Sequence, residues 1–396
     1  MRMSESPIAS FRISCYLGRR LFTWRTYFND EEPNQQDTQR NAAETVLAWA
    51  KDNNLFRRET TDQAIDIEEG PESVSNKVFS ADETLEIFKK KCINLVFFDE
   101  ANEVVTILTA KKLTRAEEQS LPFRFKNEVT INYSHGGVPQ VKSPSTQPHV
   151  QPVTEKGGII ACGSSINPVD IVGAGTLGAI VKDKSGAFYG LTNNHVSGGC
   201  NYSAPEIPIL CPGPLDAKNC AIDPFTIGRH KNLLQFVDGL PENVDISKNS
   251  DAAIFALSKP DRVSSYQGLS QDTPKHIGVP MGMMKVTKHG RTTGLTRGKI
   301  IGISASPIDV AYSYGNMKKV VYFDDVWLIK KENDKPFSEP GDSGSLVIGT
   351  DSTGQKIALG LVFAGNPHFG HTYMLPLNPI LTKLGVELVH GHNPFI

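Results

Sequence analysis

The sequence predicts an all-β barrel or sandwich over residues 158–396, preceded by a small α+β module over residues 1–134. Three observations predict it. From about Gly158 the chain runs as short apolar stretches broken by Gly- and Pro-bearing turns, the pattern of packed antiparallel sheets. Before it, apolar residues recur first at helical and then at strand spacing. Between them, residues 135–157 interleave Pro139, Pro144, Pro148 and Pro152 with Ser, Gln and Thr. Proline locks its own φ and removes a donor, so this stretch reads as a linker and an accessible cleavage site.

The elements follow in order. Ala43, Val46, Leu47 and Ala50 form one face of a helix over residues 40–53, with Asp37 or Thr38 as its cap. A second helix covers residues 81–91. Residues 93–98 and 104–109 read as paired strands around a polar turn at 99–102, residues 114–120 as a short helix and 129–133 as a third strand. No phosphate loop, metal spacing or nucleophile stands out here, so the module reads as a scaffold or docking unit, or as a sensor or inhibitory cap. Beyond Gly158, strands are expected at 175–181, 188–192, 252–257, 299–303, 320–323, 326–329, 345–348 and 358–363.

Composition narrows the function. The 396 residues carry a formal net charge of −2, so no basic excess points to nucleic acid. No apolar run is long enough to span a membrane. The Arg19-Arg20 pair is followed by Arg25, Asp30, Glu31 and Glu32, which cannot serve as the apolar part of an export signal. A cytoplasmic location with reduced thiols is therefore expected. Cys200, Cys211 and Cys220 share one loop-rich stretch. Without a CxxC pair they read as free thiols rather than a metal site.

Chemistry concentrates in three segments. Glu339-Pro340-Gly341-Asp342-Ser343-Gly344-Ser345 lets the backbone turn so that the Gly341 and Ser343 amides face one spot. That spot suits an oxyanion formed when the Ser343 hydroxyl attacks a carbonyl. Leu191-Thr192-Asn193-Asn194-His195 ends an apolar strand in a candidate general base. Asn249-Ser250-Asp251 precedes an apolar strand and offers an acid to orient it. Asp238 and Asp245 are nearby alternatives, but the apolar strand after Asp251 would anchor and shield its carboxylate.

The chain order His195, Asp251, Ser343 resembles the trypsin/chymotrypsin-like serine peptidases over roughly the last three fifths of the sequence. The resemblance implies a chymotrypsin-like double barrel, with His195 and Asp251 on the first barrel and Ser343 on the second. It implies a serine endopeptidase that needs no cofactor or metal and cuts protein substrates. A catalytically silent peptide-binding module on the same fold is the alternative reading, and an esterase a third. Gly290-Arg291-Thr292-Thr293-Gly294 resembles the bacterial α-lytic and streptogrisin-like branch, where this arginine pairs with the aspartate before the nucleophile. Carried over, Arg291 would pair with Asp342 and replace an activating N-terminus; Ile171 to Ala174 would then be an ordinary strand approach. The family alignment also assigns Phe337 to the floor of the specificity pocket with Ser338 after it, Leu361 to Gly365 (including Phe363) to the strand beside the substrate, and His371 to the pocket wall. The acidic floor that selects Lys or Arg is then absent. Control by a partner at the N-terminal module is a further expectation.

Overall fold

The computed structural model describes residues 38–56, 79, 81–125, 128–137, 139–141, 148–218, 220–314 and 317–395. The Arg19-Arg20 region, Asp37 and Pro144 lie outside these residues.

The N-terminal elements form one small layered unit. Helix Thr38–Asp52 buries Ala42, Ala43, Val46, Leu47 and Ala50 in one cluster with Val96, Phe98, Val105 and Ile107 of the sheet below. Helix Asp82–Lys91 adds Ile87 and Phe88. Strands Ile93–Asp99 and Val104–Thr109 pair antiparallel, and Val129–His135 then joins Val104–Thr109 in parallel. Helix Arg115–Ser120 makes that crossover. The Thr114 hydroxyl accepts from the Glu117 amide at 3.2 Å, and the Glu117 carboxylate accepts from the Thr114 amide at 2.7 Å; two free donors of the first turn are thus satisfied.

This sheet does not stop at the module. Phe97 and Phe98 pair with Ser304 and Ile303 of strand Gly294–Ser304. The hydrogen-bonded ladder therefore continues directly into the C-terminal β-structure.

That β-structure is a chymotrypsin-like double barrel. Strands Lys285–Gly290, Gly294–Ser304, Trp327–Lys331, His371–Pro376, Lys356–Asn366 and Leu346–Thr350 pair in a ring that closes back on Lys285–Gly290. Met284, Val286, Ile300, Ile329, Val347 and Leu359 fill one of its core clusters. The other half is a strongly curled antiparallel sheet. It contains Ala179–Asp183, Phe188–Thr192, Ala252–Leu257, Phe225–Leu234, Pro208–Cys211 and Ser165–Pro168, in that spatial order. Helix Leu377–Leu384 leads out of the closed barrel, and Val386–Leu388 pairs with Ala179–Asp183 of the curled sheet.

The expected strand over 175–181 is interrupted at Leu177 and Gly178. A Cβ at Gly178 would lie 2.0 Å from the Gly344 carbonyl oxygen, so the break lets the two halves of the double barrel touch. A separate hairpin, Ile308–Tyr314 with Met317–Phe323, buries Ile308, Val310 and Tyr312 on one face. Among the described residues, no helix is long and apolar enough to cross a membrane.

Candidate active site

His195 lies in a π-helical turn, Asn194–Gly198, immediately after strand Phe188–Thr192. Such wide turns are rare and recur at functional positions. The two asparagines before it act as braces. Asn193 Nδ2 donates to the Asp251 carbonyl at 2.6 Å, and Asn194 Nδ2 donates to Asn201 Oδ1 and to the Leu234 carbonyl.

Asp251 immediately precedes strand Ala252–Leu257, which pairs directly with Phe188–Thr192. The pairing brings residues 56 apart in sequence into contact: His195 Nδ1 lies 2.6 Å from Asp251 Oδ2, and the His195 amide donates to Asp251 Oδ1 at 3.0 Å. The carboxylate is fully buried, while the imidazole keeps 11% of its side-chain surface exposed. A third donor, the buried Tyr312 hydroxyl, reaches Asp251 Oδ2 at 2.9 Å. Burial and the Asp251 charge keep the Tyr312 phenol protonated well above the ordinary tyrosine range. Asp238 and Asp245 instead bind Lys319 and Lys248.

Ser343 comes from the closed barrel, just before strand Leu346–Thr350. It shares one cleft with His195, Gly341, Cys200 and Tyr314. Among the described residues no hydrogen bond joins His195 to Ser343, and the amides of Gly341 and Ser343 make none. Gly341 has φ 101°, and a Cβ there would lie 2.5 Å from Thr292 Oγ1. Only glycine takes this backbone without strain. Cys200 is not a competing nucleophile, because burial, then the Asp251 charge, pushes its thiol up to about 12.

The expected Arg291–Asp342 pair is corrected by the structure. Asp342 instead binds Lys288 Nζ at 3.1 Å, both side chains being fully buried. Lys288 completes its three donors with the Gly294 carbonyl at 3.1 Å and the Thr293 hydroxyl. Asp342 Oδ1 accepts the Thr292 amide at 2.8 Å, and Oδ2 accepts the Thr293 hydroxyl at 2.7 Å. Arg291 turns the other way, into a two-pronged pair with Asp216, its Nε donating to Asp216 Oδ2 at 2.7 Å. The Gly-Arg-Thr-Thr-Gly backbone thus embraces Asp342, while a lysine three residues before the arginine supplies the positive charge. Residues 171–174 line the cleft as an irregular stretch that leads directly into strand Gly175–Thr176.

The specificity pocket also differs in part from expectation. Ser338 and Gly365 line a pocket beside Ser343, together with Glu339, Val362 and Ala364. Phe337 does not line it: its ring is fully buried in the closed barrel's core beside Ile300 and Ile329. Phe363 points away as well, packing edge-on against Phe323 with ring centroids 5.2 Å apart. A register irregularity between Val362 and Ala364 falls at this position, and Phe363 packs into the core there. Glu339 brings a carboxylate to the pocket, paired with His149 at 2.5 Å.

His371 lines a different cavity, with Thr106, Leu108 and Tyr133 of the N-terminal sheet. It is 2% exposed, and its Nδ1 finds no partner among the described residues. Burial above all, then the charges of Lys330 and His135, lowers its pKa from 6.5 to about 4. The partly buried His289 is likewise lowered to about 4, by burial first and then by the Lys288 charge. Both stay neutral in the fold where the unfolded chain would bind a proton. Stability is therefore full above pH 6.5 and is lost as pH falls from 6.5 toward 4. His371 by itself is expected to cost about 2 kcal/mol by pH 5. Urea unfolding at pH 7 and pH 5 measures this, and His371→Gln should remove its own share of the difference while the share of His289 remains.

A family model described as the Nal1 C-terminal domain matches residues 270–379. The curated protein NARROW LEAF 1 of Oryza sativa subsp. japonica is 26% identical over 268 residues, which cover 61% of this chain. The match spans only 42% of that protein's length. Both sequence matches fall on a different family from the one whose motifs this chain resembles. Among solved structures, the Nocardiopsis protease aligns with 58% of this chain and 97% of its own, at 18% identity and TM-score 0.38. Thermobifida fusca protease A covers the same share of this chain and 100% of its own, at 16% identity and TM-score 0.38. A glutamic acid specific serine protease, described as using a histidine triad in substrate binding, is 18% identical with TM-score 0.38.

Proposed function

We propose that this chain is a serine endopeptidase in which Ser343 is the nucleophile, His195 the general base and Asp251 the group that orients it. The single observation that carries the reading is the bonded His195–Asp251 pair, opening into the same cleft as Ser343. A serine hydroxyl is too weakly acidic to attack an amide unaided. With Nδ1–H donated to Asp251, the imidazole offers Nε2 as the base and becomes an imidazolium beside a buried carboxylate. As Ser343 Oγ bonds to the carbonyl carbon, its proton passes to Nε2. The amides of Gly341 and Ser343 then face the developing oxyanion. Collapse expels the leaving amine with that proton, and water repeats the steps to release the acyl group.

The alternative is a peptide-binding module without turnover. The complete set of acid, base and hydroxyl favours the enzyme. A fluorophosphonate probe separates the two: it should label the wild type at Ser343 and leave Ser343→Ala unlabelled. Equal labelling of both, or of neither, would remove the nucleophile assignment. Proteomic mapping of peptides cut by the wild type but not by Ser343→Ala would then identify substrates.

A further inference from the structure

The edge of strand Lys356–Asn366 that runs toward Ser343 is already occupied by the protein's own chain. Gln140 and Gly365 exchange both main-chain hydrogen bonds, each at 3.1 Å, as an antiparallel pair. On its other side Gln140 bridges Ala311, and the Val141 amide donates to the Ala311 carbonyl at 3.4 Å. Residues 140–141 are thus a short strand wedged between the closed barrel and the hairpin that carries Tyr312.

Direction places this strand against the chemistry. On the same edge, the Gly344 amide donates to the Val362 carbonyl at 2.9 Å, next to Ser343. Antiparallel pairing at Gly365 points the chain from Gln140 toward that end of the edge. Residues 362 and 365 lie about 10 Å apart along an extended strand. Val141 has covered part of that path: it lines the pocket shared by Ser338 and Ser343 and also the cleft of His195.

The strand is firmly anchored upstream. The buried Tyr373 hydroxyl donates to the Gly137 carbonyl at 3.1 Å. Gly137 itself sits so close to Asn366 and Phe369 that a Cβ would lie 2.4 Å and 2.7 Å from their side chains. Pro139 is buried, whereas the Gln140 side chain is exposed. The main chain of Gln140, rather than its side chain, makes the contact. This is how an extended peptide adds itself to a sheet edge.

We propose that residues 139–141 are a built-in strap that holds the substrate's place beside Ser343, so that an extended protein segment is cut only after the strap leaves. The proposal rests on the reading of Ser343 as nucleophile. It names the substrate class as unfolded or extended polypeptide, recognised through its backbone. A tethered competitor acts at a high effective concentration, so a free substrate meets a competent cleft only in the fraction of molecules whose strap is out.

The test releases the strap in the full-length protein. Gln140→Pro removes the amide that donates to Gly365, and Val141→Asp puts a carboxylate where Val141 packs partly buried. Active sites are counted with the fluorophosphonate, and hydrolysis of unfolded casein is measured per counted site. A strap in place nine-tenths of the time predicts an increase in kcat/KM of about tenfold, chiefly through KM. A folded variant that cuts casein no faster per site overturns the strap. A second readout does not need turnover: a fluorescein-labelled peptide of residues 136–143, followed by anisotropy in Ser343→Ala background. It should bind the released variants about tenfold more tightly than the strapped chain. Equal binding to both, or binding to neither, overturns the strap. Absence of fluorophosphonate labelling, with the peptide still selecting the released forms, would instead retire the nucleophile and leave the strap as a gate on a peptide-binding edge.

Discussion

Asp251→Asn is expected to lower kcat by about 10⁴ while leaving the protein folded, the scale found when the same acid is replaced in a serine peptidase of known mechanism. The reason is the tautomer. Asp251 accepts three donors: the His195 ring Nδ1–H, the His195 amide and the Tyr312 hydroxyl. An asparagine that keeps its oxygen for the amide turns an NH₂ toward the ring. Nδ1 must then accept, the proton moves to Nε2, and the nitrogen facing the cleft is no longer a base. Nearly all the shape of the side chain is kept, so melting should change far less than turnover. Casein hydrolysis at saturating substrate and the fluorophosphonate labelling rate are the measurements. A variant within tenfold of wild type on both would show that Asp251 does not set the His195 tautomer, and the mechanism above would fall.

Some of this site was legible because its residues obey local rules. His195 follows an apolar strand, Asp251 precedes one, and Gly341 marks a turn that other residues enter only with strain. The strands themselves were visible through apolar runs and turn residues. Their partners were not: nothing local to Phe97 and Phe98 says that they pair with Ile303 and Ser304, because a sheet edge carries no label for its neighbour.

Tyr312 and Lys288 were missed for a related reason. Each looks ordinary alone, and each sits on the buried face of an alternating strand. Ile308, Val310 and Tyr312 share one face, as do Val286, Lys288 and Gly290. A lysine at an inward position was the available signal, since a buried ammonium must have a partner. The Arg291 expectation followed the motif instead. Its flanking Thr-Thr-Gly backbone does bind Asp342, but the long guanidinium side chain left for Asp216. Phe337 and Phe363 went astray because alignment gives a position along the chain, whereas packing decides which way a large ring turns.

The second large effect concerns that inward lysine. Lys288→Met should destabilise the protein by about 3–5 kcal/mol, the usual consequence of removing one member of a buried ion pair. Against a typical stability of about 5–15 kcal/mol this is a severe loss. Burial lowers the Lys288 pKa, and Asp342 above all opposes that by drawing the proton back. The ammonium is therefore held by its partner, not by water. Methionine fills most of the space, so the loss is electrostatic: the Asp342 carboxylate keeps the Thr292 and Thr293 donors but loses its counter-charge. Neutralising the survivor should recover part of it. Asp342→Asn added to Lys288→Met is expected to be more stable than Lys288→Met itself, a sign that only a coupled pair can give. Activity should fall with stability, because Asp342 lies between Gly341 and Ser343, whose amides are the ones proposed to face the oxyanion. Thermal melting reads the first effect as a drop of at least about 6 °C. A Lys288→Met protein that melted with the wild type and cut casein at the same rate would mean that Asp342 is held by backbone amides and hydroxyls, with no need of a cation beside the nucleophile.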